Sequence, residues 1–333
     1  MNKIWKKTAL ALVLFLALSM VSGCRLGNKE IVLGSDLAGN EVFRIDKTGC
    51  SLAEAMVFLT NYQNIYGTVY GVNLWEQDLG ESSLEQYVKD LTISQLAKII
   101  SMDLLAEQQE ISLTDEEQDR LKETARKYYD SLSKEEIAYM GVKESDIVKL
   151  YRQYGLADKL YQSLTVDVNE EVSDDEARVM RVQEIFVVTK EKADAVTAGL
   201  DQGTDFLTLA GTYNEAEQTE TAFGRGDRPK AVEEAAFALA KDEISGAIET
   251  DDGYYFIKCI SNYDQELTDA NKQTILERRK KEAFDDVYDA FVAQTPSRMN
   301  ETLWDSVELT FGDEIRTDSF FETYETYGKI TVR

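Results

Sequence analysis

Three cysteines, Cys24, Cys50 and Cys259, are the scarce reactive groups of this 333-residue chain, which contains no histidine. Without imidazole the chain lacks the commonest general base and the commonest metal ligand, so zinc-hydrolase and Ser-His-Asp chemistry drop out. Neither a P-loop nor a dinucleotide-binding glycine pattern is present. No metal site and no cofactor are therefore expected. Cys50 and Cys259 could pair in an oxidising exterior, but one pair makes no disulfide framework. Cys259 lies in the apolar run Tyr254-Tyr255-Phe256-Ile257-Lys258-Cys259-Ile260, where a thiol packs as a small apolar group. Two free thiols are the expectation.

Cys24 differs because of what precedes it. Lys3, Lys6 and Lys7 form a basic start, followed by an apolar run from Ala9 to Val21 broken only by Ser19. At about 1.5 Å per residue that run spans about 20 Å, short of a hydrocarbon core of about 30 Å. It reads as a secretory signal covering residues 1–23 rather than as a membrane-spanning helix. Val21-Ser22-Gly23-Cys24 closes it and resembles the lipobox of bacterial lipoproteins, in which a small residue precedes a lipid-modified Cys. The expectation is export, lipidation at Cys24 and attachment to the outer face of the cell membrane. Two acyl chains, at about 0.8 kcal/mol per buried methylene, hold far more firmly than one.

The formal charge is −26. Such a surface repels phosphate backbones, so nucleic acid is an unexpected partner, and attracts cationic ones through a field that salt screens. The chain is long enough for two domains or one large one.

The elements that must position any site follow from pattern. Residues 24–50 read as a tether and a short strand, Glu41-Val42-Phe43-Arg44-Ile45. Capping pairs at Ser51…Glu54, Ser83…Gln86, Thr114…Glu117 and Ser133…Glu136 open helices through the next hundred residues. Leu84, Val88, Leu91, Leu96, Ile99, Ile100, Leu104 and Leu105 recur at helical spacing and face a core. Phe58, Tyr62, Tyr66 and Tyr70 form an aromatic stripe, read first as core packing and second as an adaptable surface for unfolded chains. After Ser173…Glu176 the pattern becomes mixed. A strand at Met180–Val188 is followed by helices at 190–200 and 206–213, and by a turn bracketed by Gly224 and Gly226. A helix at 231–239 and strands at 248–250 and 254–260 complete this segment. A charged helix of about 42 Å then returns from Thr268 to Thr295. The fold class is α+β: a helical framework built from both ends of the sequence, with a small α+β unit inserted. The tail from Glu301 onward shows strand-like patches, among them Phe320 to Tyr327.

Residues 180–261 resemble the parvulin domain of peptidyl-prolyl isomerases, and the whole layout is similar to foldase lipoproteins of the PrsA and SurA kind. The resemblance rests on Arg181-Val182-Gln183-Glu184-Ile185-Phe186-Val187, Gly203-Thr204-Asp205-Phe206-Leu207-Thr208-Leu209-Ala210 and Phe223-Gly224-Arg225-Gly226. It continues through Glu234-Ala235-Ala236-Phe237-Ala238-Leu239, Glu243-Ile244-Ser245-Gly246 and Glu249-Thr250 to Gly253-Tyr254. These stretches follow the family's order and approximate spacing. The layout implies a helical N-terminal domain at 51–175, the parvulin-like domain at 176–264, and at 265–333 a long helix packing back on the N-terminal domain plus the tail.

The resemblance further implies a pocket that binds a proline ring and eases rotation about the preceding peptide bond. That rotation has a barrier of about 18–20 kcal/mol and is slow enough to limit folding. The family's two His positions fall on Glu184 and Tyr255, which become the candidate catalytic residues. Two positions that usually floor the proline pocket fall on Arg228 and Val232, while Phe223 keeps an aromatic wall. The family's Cys or Asp position falls near Glu215 or Ala216. Two functions follow from the resemblance: isomerisation of Xaa–Pro bonds, or binding alone, with the framework shielding apolar segments of unfolded or newly secreted polypeptides. Loss of both imidazoles and part of the pocket floor favours the second. Outside the family, a solute-binding receptor or a docking lipoprotein fits the length, although the repeated parallel-strand rhythm of such receptors is missing.

Overall fold

A computed structural model of the chain describes residues 37–70, 75 and 83–332. The expected signal segment and the expected lipidation at Cys24 fall outside the described residues. No helix among the described residues is long and apolar enough to cross a membrane. The chain divides into two compact units, one comprising the chain up to Val166 together with Ala283 onward, the other Asp167–Glu282. The fold is α+β.

The first unit opens with strands β1 (Glu41–Ile45) and β2 (Thr48–Ser51), an antiparallel pair joined on its other edge by β7 (Ser297–Met299). Helices α1 (Leu52–Tyr70), α2 (Leu84–Gln108), α3 (Asp115–Ser131), α4 (Lys134–Met140) and α5 (Glu144–Thr165) follow. Side-chain caps start four of them. Reciprocal capping boxes form at Ser51/Glu54, Thr114/Glu117 and Ser133/Glu136. At Ser83 only half the box exists: its hydroxyl accepts from Gln86 N, while the Gln86 amide donates instead to Asp90 at 2.7 Å. Phe58 and Tyr62 are buried, so this part of the aromatic stripe is core, as its first reading held.

The tail corrects an expectation. Phe320 to Tyr327 is not strand but a helical turn, α11 (Phe320–Thr323), running into a π-helical turn (Tyr324–Gly328). The reason is burial on adjacent positions: Phe320 and Phe321 are both enclosed, which an edge strand with one face open to solvent cannot do. Phe320 stacks on Tyr151 with ring centroids 4.4 Å apart, and Phe321 on Tyr62 at 4.9 Å. Much of the surrounding tail is irregular, so side chains of the helices satisfy its backbone. Gln63 donates to Thr310 O at 2.7 Å, Asn64 to Thr317 O at 2.9 Å and Tyr151 to Phe320 O at 2.7 Å. The Glu136 carboxylate accepts from Arg316 N and Thr317 N at 2.9 and 2.7 Å.

The second unit contains the turn α6 (Asp174–Ala177), β3 (Met180–Val187), α7 (Lys190–Asp201), α8 (Phe206–Tyr213), β4 (Glu220–Phe223), α9 (Lys230–Phe237), β5 (Ile248–Glu249) and β6 (Tyr254–Ser261). Its antiparallel sheet has the order β4-β3-β6-β5. Side chains alternate across the two long central strands. Ile185, Val187 and Phe256 face α7 and α8, while Met180, Val182, Ile257 and Cys259 face Phe223 and α9. The sheet is thus buried on both faces over two small cores.

The long helix α10 runs from Gln265 to Val292, three residues earlier at each end than the 268–295 expected. Expectation assigned all of 265–333 to the framework, whereas residues up to Glu282 belong to the second unit. Polar contacts explain the division. Asn271 donates to Ala177 O at 3.0 Å, Lys272 pairs with Asp174 at 2.5 Å, and Arg279 meets Glu176 at 2.6 Å. Beyond Ala283, buried Phe284 packs on Tyr161 in the core of the first unit. Cys50 and Cys259 are free thiols, each buried within its own unit.

Candidate functional site on the second unit

The alternation that buries Val182 puts Glu184 and Phe186 on the same sheet face, and β6 contributes Tyr255 and Ile257 there. The register sets Glu184 opposite Ile257 and Phe186 opposite Tyr255. Phe223 on β4 and Val232 on α9 close this face with 2% and 0% of their surfaces exposed. The five residues that the resemblance assigned to the imidazole positions and the pocket, Glu184, Phe223, Arg228, Val232 and Tyr255, therefore belong to one face of one unit.

Arg228 reaches that face from the turn between β4 and α9. Gly226 occupies a left-handed conformation (φ +88°) that favours glycine. Its N–H donates to Glu233 at 2.7 Å, while Asp227 accepts from Gly224 N at 2.7 Å. Pro229 follows Arg228 and disfavours helical backbone there, so α9 starts one residue after the proline. Held this way, Arg228 Nε lies 3.3 Å from Glu184 Oε2 and its guanidinium lies 5.1 Å from the centroid of the Phe223 ring. Planar guanidinium suits both contacts, the fork for a carboxylate and the face for an aromatic ring.

Tyr255 packs its ring on Phe186 at 4.7 Å. Its hydroxyl is held above the ordinary tyrosine range, first by burial and then by the charges of Glu184 and Asp252, with Arg228 opposing. It is thus a hydrogen-bond donor at neutral pH. Glu184 accepts at its carboxylate and is committed to Arg228. The two residues at the family's imidazole positions are therefore an acceptor already paired and a donor beside it. Neither reproduces a neutral imidazole, which donates at one nitrogen and accepts at the other.

Glu215 is engaged elsewhere. Its carboxylate accepts from Val188 N at 2.7 Å and from Lys192, and these bonds, Lys192 first, hold it below the usual carboxylate range. Asn214, which sequence reading passed over, organises the loop. Its Oδ1 accepts from Phe186 N at 2.9 Å and from Ala216 N at 3.1 Å. The available signal was Asn directly after a helical segment, a residue suited to bonding backbone two positions on. Nor did the sequence disclose the flanking stack, in which Arg178 and Arg225 lie 4.6 and 4.7 Å from the Phe237 ring. Among the described residues, no cluster of three or more His, Cys, Asp or Glu is arranged to hold a metal ion.

A family model described as the PPIC-type PPIASE domain matches residues 168–272. The foldase protein PrsA of Caldanaerobacter subterraneus subsp. tengcongensis is 27% identical over 309 residues, covering 86% of this chain and 94% of that protein. The PrsA foldase of Geobacillus kaustophilus is 24% identical over 269 residues, covering 77% and 85%. Among solved structures, the peptidylprolyl isomerase PrsA of Bacillus cereus shares 18% identity with a TM-score of 0.40, over 73% of this chain and 91% of that one. Residues 168–272 thus resemble a parvulin-type peptidyl-prolyl isomerase domain, and the chain is similar over most of its length to PrsA foldases.

Proposed function

We propose that this protein is a membrane-anchored, extracytoplasmic foldase that holds unfolded segments of newly secreted proteins, and whose parvulin-type unit binds prolyl peptides with little or no turnover. Lipidation at Cys24 fits the sequence Val21-Ser22-Gly23-Cys24 after a basic and apolar leader. The observation that carries the holding reading is the Arg228 guanidinium, paired with Glu184 over the buried Phe223 ring. It occupies the face where a proline ring would sit and ties up one of the two groups available for hydrogen bonding to a twisted amide. An apolar site that excludes water and donors aimed at the twisted peptide are the two means of lowering the rotation barrier, and this arrangement weakens both.

The domain layout proposed for this function takes the unit up to Val166 together with Ala283 onward as the client-shielding framework and Asp167–Glu282 as the prolyl-binding unit. The mature chain should suppress aggregation of a denatured client at near-stoichiometric ratios while leaving the isomerisation rate of an Xaa–Pro tetrapeptide close to its uncatalysed value. Fast isomerisation that disappears in Tyr255→Ala would restore the enzyme reading. Failure in both assays would remove the foldase reading. Anchoring is tested separately: labelled palmitate should enter the wild-type chain in cells and not Cys24→Ala.

A further inference from the structure

On the reading that the second unit binds prolyl segments, we infer that Arg228 is an internal mimic of the client, and that the site selects segments carrying a basic residue, arginine above all, beside the proline. The ion pair is asymmetric. The Glu184 side chain is 7% exposed and fixed on the central strand β3, whereas the Arg228 side chain is 27% exposed and stands on the turn between β4 and α9. A visiting guanidinium can take the place of Arg228 on Glu184 and on the face of Phe223, and the displaced arginine moves into water. Every charge then keeps a partner or its solvent. A visiting carboxylate has no equivalent exchange. It would have to draw Arg228 off Glu184 and leave that carboxylate buried without a cation, the costly outcome for a buried pair.

The field around the site points the same way. The Tyr255 hydroxyl senses the negative charges of Glu184 and Asp252 against the single positive charge of Arg228. Removing Arg228 from the face leaves it acidic, in a chain of formal charge −26 that draws cations from a distance. The aromatic pair Phe186 and Tyr255 lies on the same face, beside Glu184 and Ile257. Glu184 is thereby a specificity-determining residue, and Arg228 its internal competitor.

Fluorescence anisotropy on the mature chain, with labelled peptides differing only as Arg-Pro, Leu-Pro and Glu-Pro, tests this. Arg-Pro should bind at least tenfold more tightly than Glu-Pro, with an advantage that shrinks as salt is raised. In Glu184→Gln the three peptides should converge. In Arg228→Met, which leaves the buried carboxylate in place, Arg-Pro should tighten further. Equal affinities for the three peptides in the wild-type chain would overturn the basic preference and leave prolyl binding standing. A preference that survives Glu184→Gln would overturn the role given to Glu184. No binding of any peptide, in the wild type and in Arg228→Met alike, would overturn prolyl binding and the preference together.

Discussion

Glu117 stands at the first turn of α3 with Lys159 Nζ 2.8 Å from its carboxylate, both side chains largely enclosed. Burial alone would raise its pKa, but the Lys159 ammonium and the Thr114 N–H and hydroxyl outweigh it, so the net value lies below the ordinary one. A depressed carboxylate contributes stability that is present above its unfolded value, about 4.3, and is lost as pH falls through the lower folded value. Glu117→Gln should therefore cost about 1–2 kcal/mol near neutrality and flatten the acid limb of the stability curve, read by denaturant melts from pH 7 to 3. At the site face the charge that matters is that of Arg228, paired with Glu184. Removing its guanidinium leaves the enclosed Glu184 carboxylate unpaired, so Arg228→Met should lower stability by about 1–3 kcal/mol.

Caps and turns decide where the elements start and stop. Thr114 and Ser133 each satisfy a backbone N–H and receive a reciprocal carboxylate. Replacing either hydroxyl by Ala should cost about 1 kcal/mol, seen as a lower urea midpoint with unchanged slope. The hairpin into β6 depends on Gly253, whose φ of +148° and close approach leave no room for a side chain. A Cβ there would fall 2.5 Å from Val187 O and 2.9 Å from the Phe186 ring. Gly253→Ala should destabilise the second unit by about 1–3 kcal/mol or more. It should also disturb the Phe186–Tyr255 ring contact, which near-ultraviolet circular dichroism reports. The residue thus links a turn to the candidate site.

Across the whole molecule the two units have separate cores, and the tail belongs to the first of them. Phe320 is fully enclosed among Phe58, Tyr128 and Tyr151. Phe320→Ala should cost about 3–5 kcal/mol. Hydrogen exchange should locate the loss in α1, α3 and α5, with the amides of β3 and β6 keeping their protection. Equal loss in both units would contradict separate cores. Because Phe320 and Ile330 belong to the first unit's core, that core closes only after both have been synthesised.

The amino-acid sequence by itself determined the α+β class, the capped helix starts and four of the seven strands among the described residues, and the family resemblance it carries pointed to the five residues on the candidate face. These depend on local rules: a capping side chain reaches three residues, strand faces repeat every two, and a family's order of motifs survives in linear form. Only the tertiary structure decided that Arg228 meets Glu184 and covers Phe223, because that pair joins residues 44 positions apart across a turn whose aim depends on Gly226 and Pro229. The tail was illegible for a related reason. Its backbone is satisfied by side chains such as Gln63, 247 positions away, so no local periodicity records where Phe320 and Phe321 go.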